Sequence, residues 1–289
     1  MTRLFLVTLG TLLLSGCQSA LFGVVNARQP SAGTVAHQNI VFDAPNGLSL
    51  DVYAPANARD APVVVFFYGG SWKSGKRQWY RWVGEALAAK GIVTVVPDYR
   101  QWPKVKLDGF MRDGAEAVRW AHDHTAEFGG DPAHLFVMGH SAGGHIAALL
   151  ATDARWLGGV GMTPRDLSGF IGLAGPYDFL PLTSDSFIDM FGRTAGEQAR
   201  SQPVNFVDGD EPPALLLQGD ADGTVKPSNA LSLQRRYEAR GEAVEVKLYP
   251  GVGHMGVLFG LGPSRGHASV LDDVVDFVRK YSVRASDRR

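Results

Sequence analysis

The sequence predicts an α/β fold: a mostly parallel central sheet with helices on both faces and an antiparallel hairpin at its start. Three observations carry this reading. Short, nearly continuous apolar runs, "PVVVFF", "IVTVVP", "HLFVMG", "FIGLAG", "PALLLQG" and "VEVKLYPG", recur along the chain, as expected of strands buried on both faces. Segments of helical periodicity at 78–90, 108–128, 142–152, 228–240 and 268–281 alternate with them, and such alternation specifies a wound parallel sheet. The 35 glycines in 289 residues exceed the usual ~7%. They stand mostly beside the apolar runs, where tight strand-to-helix turns need positive φ.

The first two strands, "IVFDA" and "LSLDVYA", are joined through Asn46-Gly47, a pair that favours a type I′ hairpin turn. At 45% hydrophobic residues the chain is able to bury one large core. A net charge of -1 lacks the basic footprint that nucleic acid requires, so no nucleic-acid partner is expected. No His/Asp/Glu cluster has metal-ligand spacing, so neither a metal nor an organic cofactor is implied.

The chemistry centres on "HLFVMGHSAGGHIAALLA". Gly139-His140-Ser141-Ala142-Gly143 fits G-x-S-x-G, where a strand turns sharply into a helix and exposes the serine hydroxyl. The strand "HLFVM" and the helical "HIAALLA" supply that context, which favours Ser141 as a nucleophile over a small turn serine. A serine hydroxyl needs a base to take its proton and an acid to orient that base. Asp220 and Asp222 follow the strand "PALLLQG", and His254 follows "VEVKLYPG". Loops beyond the carboxyl ends of parallel strands share one edge of a sheet, so these residues are expected to meet Ser141. His140 and His145 flank Ser141 so closely that they are expected to point away from it, although His145 is a candidate for lining the pocket. His37, His122, His124, His134 and His267 read as surface or structural histidines.

With these motifs in place, residues 39–281 resemble bacterial α/β-hydrolase carboxylesterases, close to feruloyl and acetylxylan esterase domains, hormone-sensitive-lipase-like esterases and kynurenine formamidases. The markers are "YGGSW", "VVPDYR", "EFGGDP", "GHSAGG", "GPYDF", "GDADGTV" and "GVGH". The resemblance implies a Ser-His-Asp triad of Ser141, His254 and Asp222, with Asp222 preferred to Asp220 because Gly219, Asp222 and Val225 match the family's G-x-x-D-x-x-V. It also implies an oxyanion hole from the backbone N–H groups of Gly70, Ser71 and Ala142, with Tyr68 where the family has histidine. The residues of "PDYR" and Asp131-Pro132 would be scaffold. Trp102 and Tyr177-Asp178 are candidates for pocket lining, and 176–212 has room for a small cap. The implied activity is hydrolysis of a small-molecule carboxylic ester with a small or medium acyl group. An arylformamidase-like amidase and a non-catalytic envelope domain that keeps the fold are the alternatives.

The N-terminus, "MTRLFLVTLGTLLLSGCQSA", has Arg3 before an apolar run too short to span a bilayer comfortably, and reads as a signal peptide over 1–16. Leu14-Ser15-Gly16-Cys17 resembles the bacterial lipoprotein box, in which the cysteine is lipidated and becomes the first mature residue. Cys17 is the only cysteine in the chain. The resemblance implies a membrane partner through that anchor, and Gln18 in place of Asp implies the outer membrane of a Gram-negative cell. Residues 17–38 read as a flexible tether, 39–282 as the folded domain, and 283–289 as a frayed basic tail.

Overall fold

The computed structural model describes residues 19–262 and 270–282. Cys17, the signal peptide and the tail at 283–289 lie outside the described residues. An eight-stranded sheet runs in the order β1-β2-β4-β3-β5-β6-β7-β8. Its strands are β1 (Thr34–Asp43), β2 (Leu48–Pro55), β3 (Ala61–Phe67), β4 (Val93–Pro97), β5 (Gly130–His140), β6 (Gly169–Leu173), β7 (Ala214–Gly219) and β8 (Val244–Tyr249). β2 pairs antiparallel with both of its neighbours, and every other pairing is parallel. β4, β6 and β7 are buried along their whole length, which is why their sequences run apolar without alternation.

Helices cover both faces. The first, α1, spans the described residues 19–28. Then follow α2 (Arg81–Ala88), α3 (Leu107–His124), α4 (Ala142–Thr152), α5 (Ala154–Gly158), α6 (Asp185–Phe191), α7 (Ala195–Ala199), α8 (Ser228–Arg240), α9 (His254–Phe259) and α10 (Val270–Tyr281). α2 and α10 share one face of the sheet, whereas α3 and α4 pack together on the other. The boundaries of α4 and α8 fall where their periodicity predicts them.

Two expectations about the N-terminal part of the chain are corrected. Asn46-Gly47 does not form a type I′ turn, because only Gly47 has positive φ (67°). Asp43 draws the chain into a longer turn, accepting from the Asn46 N–H at 3.2 Å and from its side-chain amide at 2.6 Å, while the Gly47 N–H donates to Ala44 O. The stretch expected to be a tether is helical over 19–28 and docked. Phe22 is buried and stacks on Trp79 with ring centroids 5.5 Å apart. Asn26 accepts from the Trp82 N–H and donates to Gln78 O, each at 3.0 Å. Burial of Phe22 and satisfaction of Asn26 outweigh the polar composition that suggested disorder.

The segment at 176–212 carries α6 and α7, which form a small cap. Phe179, Phe187 and Phe191 close around Trp72 at centroid distances of 6.1, 5.7 and 4.9 Å. His145 lies fully buried under this cluster, 5.0 Å from the Trp72 ring and edge-on to it. It is therefore a core residue and does not line the pocket. Its Nε2 is 2.7 Å from Ser201 O. A carbonyl only accepts, so Nε2 bears the proton and donates, tying α4 to the chain beyond α7.

Burial pushes the His145 pKa down to about 4. The folded protein holds the ring neutral, while an unfolded chain protonates it below the ordinary value near ~6.5. This contribution to stability is therefore complete above about 6.5 and is lost as pH falls toward about 4. Between pH 7.5 and 5 His145 should cost about 2 kcal/mol of unfolding free energy. Urea titrations at both pH values should show a smaller acid loss for His145→Gln than for wild type; equal losses would refute the assignment.

Candidate active site

The site is built at the carboxyl ends of β3, β5, β7 and β8. β5 ends at His140, α4 begins at Ala142, and Ser141 between them takes φ 54° and ψ −121°. That conformation is costly for a residue with a Cβ. The Ser141 N–H donates to Leu173 O at 2.9 Å and its carbonyl accepts from the His145 N–H at 3.0 Å, so backbone on both sides holds the bend. A Cβ on Gly139 would stand 2.2 Å from Gly143 O, and one on Gly143 would stand 2.0 Å from Phe67 O. Two glycines are therefore obligatory at this turn.

Asp222 and His254 converge on the serine. His254 is the first residue of α9, which begins in what the sequence suggested was loop. Its Nδ1 donates to Asp222 Oδ2 at 2.8 Å, and its Nε2 accepts from Ser141 Oγ at 2.9 Å. The Asp222 carboxylate is buried. Burial acts to raise its pKa, but the Val225 N–H, His254 and the Thr224 N–H outweigh it and hold the group below the ordinary aspartate value. Oδ1 accepts from the N–H groups of Thr224 and Val225 at 2.8 and 2.9 Å. The carboxylate thus stays ionised and fixed in orientation.

Asp220 does not reach His254. Its Oδ1 accepts from the Gly251 N–H at 2.7 Å, fastening the turn that leads into α9.

The "YGGSW" loop closes over the serine. Gly70, Ser71 and Trp72 all have positive φ, at 132°, 54° and 58°. Gly70 O accepts from the N–H groups of Lys73 and Ser74, and a Cβ on Gly70 would lie 2.0 Å from Ser74 O. Among the described residues, the N–H groups of Gly70, Ser71 and Ala142 donate to no protein acceptor. Beneath the loop Tyr68 is buried and stacked between Tyr99, at 4.6 Å, and Tyr80, at 5.4 Å. An apolar, aromatic floor therefore supports the loop. Burial keeps the Tyr68 phenol protonated, its pKa lying well above the ordinary value.

A cavity of about 160 Å³ opens onto Ser141 and His254, bounded by Gly70 and Ser71 on one side and by Phe22, Trp79 and Met255 on another. A larger one, of about 480 Å³, lies at α6 and α7 and contains none of these residues. The smaller is the candidate site, because it holds the serine and the histidine. Trp102 borders a third cavity beside the Tyr68 loop and donates from Nε1 to Asp189 at 3.0 Å. Tyr177 is buried in the core, and Asp178 accepts from Ser232 Oγ. In "PDYR", Asp98 pairs with Arg77 and Arg100 with Asp113, which gives that motif a scaffold role.

Three residues of the site escape the sequence reading. His140 does not turn away: it is buried, its ring centroid is 4.8 Å from that of His254, and its Nε2 donates to His254 O at 3.2 Å. Burial, reinforced by His254, pushes its pKa down to about 3. Its place next to Ser141 suggested that it would point away, but the chain leaves extended geometry at Ser141 (φ 54°, ψ −121°). Gln218, also buried, donates to Asp222 Oδ2 at 3.1 Å and to Val225 O at 3.0 Å; a lone amide in the apolar "PALLLQG" was the visible signal. Phe22 reaches the cavity from α1, and only its spacing of three from Val25 hinted at a buried helical face.

The comparisons agree with this architecture. Isoprenylcysteine alpha-carbonyl methylesterase ICME of Arabidopsis thaliana is 28% identical over 270 residues, covering 83% of this chain and 61% of that protein. Carboxylesterase NlhH of Mycobacterium tuberculosis is 38% identical over 128 residues, covering 43% of this chain and 40% of that protein. The chain thus spans about 60% of the length of the first of these curated relatives. Among solved structures, esterase B of Lactobacillus Rhamnosis superposes with a TM-score of 0.77 at 21% identity, covering 95% of this chain and 94% of that one. A carbohydrate esterase from gut microbiota, in truncated form, gives 0.74 at 19% identity, covering 88% and 99%. These two likenesses establish an α/β-hydrolase fold. The BD-FAE family model matches residues 50–237, more than half of the sequence, and the chain belongs to the BD-FAE family.

Proposed function

We propose that this protein hydrolyses carboxylic esters with small or medium acyl groups, with Ser141 as nucleophile, His254 as general base and Asp222 as the acid that orients it. The observation that carries the reading is the continuous chain from Ser141 Oγ to His254 Nε2 and from His254 Nδ1 to Asp222, at 2.9 and 2.8 Å. Each atom has the role that acyl transfer requires. His254 Nε2 takes the hydroxyl proton as Oγ attacks the ester carbon, and the ionised Asp222 stabilises the imidazolium that forms. The developing oxyanion is received by the N–H groups of Gly70, Ser71 and Ala142, which need no partner within the protein. His254 then passes the proton to the departing alkoxide, leaving an acyl-Ser141 ester and a free alcohol. Water attacks that ester through the same base, releasing the acid and restoring the hydroxyl. The cavity volume of about 160 Å³ suits a short acyl chain. Relatives named as a methylesterase and a carboxylesterase favour an ester over a formamide.

Ser141→Ala should abolish turnover of p-nitrophenyl esters, by about 10⁶ in kcat, with the fold intact by circular dichroism. Activity within about tenfold of wild type, in a preparation free of other esterases, would refute the nucleophile.

The two aspartates separate in the same assay. Asp222→Asn leaves His254 in the wrong tautomer and should lower kcat by about 10⁴. Asp220→Asn keeps an oxygen able to accept from Gly251 and should change kcat less than about tenfold. Greater damage from Asp220→Asn would reverse the assignment of the acid.

We further propose that Cys17 is lipidated after removal of the signal peptide and anchors the enzyme to the cell envelope, in the outer membrane of a Gram-negative cell. The support is the Leu-Ser-Gly-Cys sequence with Gln18 after it. Cys17→Ser should abolish lipid attachment and release the exported protein to the soluble fraction. Wild-type protein recovered soluble and without lipid would contradict the anchor.

A further inference from the structure

Helix α1 ties the anchor to the active site. Its described residues begin at 19, two positions after Cys17. It is fixed to the segment that walls the cavity, since Phe22 stacks on Trp79 and lies 5.0 Å from the Tyr80 ring. Asn26 bonds to Gln78 and Trp82, and Arg81 donates to Asn26 O at 3.0 Å. Phe22, Trp79 and Tyr80 bound the same cavity as Ser141 and His254. Four residues, 18–21, lie between Cys17 and Phe22 in the sequence, a stretch whose full extension is about 18 Å.

The outer side of α1 exposes Ala20, Leu21, Val24 and Ala27, with Ser19 and Arg28 at its described ends. Leu21 and Val24, three positions apart and so neighbours on one helix face, are 47% and 50% exposed. Met255, beside His254 at the rim of the cavity, is 37% exposed. These are three of the seven exposed large apolar side chains among the described residues. A helix that buries one side in its own protein and offers the other as apolar surface beside a lipid attachment point suits the boundary of a bilayer.

We infer that the mouth of the Ser141 cavity faces a lipid bilayer, with α1 serving both as a wall of the cavity and as the surface that lies on the membrane. The substrates are then amphiphilic esters whose apolar body stays in the bilayer while the ester end enters the cavity. The inference rests on the reading of Cys17 as a lipid anchor and on ester hydrolysis at Ser141. It adds an orientation that anchoring alone does not supply, because a long flexible tether would leave the mouth free to face the aqueous phase.

The test uses the full-length lipidated protein reconstituted in phosphatidylethanolamine–phosphatidylglycerol vesicles. Two acetate esters of one hydroxycoumarin are compared, one water-soluble and one carrying a long alkyl chain that holds it in the vesicle. The double variant Leu21→Glu/Val24→Glu should lose about tenfold or more of its rate on the vesicle-held ester and keep its rate on the soluble ester within about twofold. Equal rates of variant and wild type on the vesicle-held ester would overturn the inference. Mass spectrometry of the N-terminal peptide accompanies both samples. Absence of lipid on Cys17 overturns the anchor reading and this inference with it, whereas an unaffected variant that carries the lipid overturns the orientation alone. No turnover of either ester by wild type would instead overturn the ester reading.

Discussion

The backbone at Ser141 is the constraint on which the rest of the site depends. A residue with a Cβ at φ 54° and ψ −121° costs about 1–3 kcal/mol, and surrounding structure must hold it there. β6 does so through Leu173 O, and α4 through the His145 N–H. The close approach of Gly143 to Phe67 O brings the end of β3 against the start of α4. The loop after β3 then has one place to go, over the serine, where a Cβ on Gly69 would stand 3.0 Å from His140 Nδ1 and 3.1 Å from Ser141 Cβ. One strained residue thus fixes the relative position of the hydroxyl and the donors of the Gly70–Ser71 loop.

Electrostatics complete what the bend begins. The Asp222 carboxylate accepts four hydrogen bonds, from Thr224, Val225, Gln218 and His254. Only the bond to His254 reaches into the site; the other three prevent the carboxylate from rotating away. His254 is held independently of its ring, because His140 donates to its carbonyl and Asp220 fastens the preceding turn at Gly251. His140, kept neutral by burial, supports His254 without placing a second positive charge 4.8 Å from it.

The strand ends were legible because buried parallel strands leave apolar runs and because the turns between them demand glycine. That Ser141, Asp220 or Asp222, and His254 would share one edge of the sheet was legible for the same reason, since each follows a strand, whereas the preference for Asp222 came from the family resemblance. Other features depend on contacts between residues distant in sequence, and these leave weaker traces. Asn26 reads as a linker residue until Gln78 and Trp82 are seen to satisfy it. His145 reads as a pocket candidate until α6 and the "YGGSW" loop close over it. Asn46-Gly47 reads as a tight hairpin until Asp43 is seen to recruit both Asn46 donors.

The aromatic packing divides the molecule around the serine into two supports of different character. On one side Trp72 carries the "YGGSW" loop onto the cap, through Phe179, Phe187 and Phe191. On the other, Tyr68 stacks on Tyr80 and Phe22 lies tilted against Tyr80, with centroid distances of 5.4 and 5.0 Å, so the rings run from beneath the same loop to α1. The first support joins the cap inserted between β6 and β7 to His145 of α4 and Phe110 of α3, which also lie against Trp72. The second passes from the loop that offers the oxyanion donors to the helix nearest Cys17, so displacing α1 would remove the outermost of these rings. The oxyanion loop and the docking of α1 thus rest on one run of three rings, Tyr68, Tyr80 and Phe22.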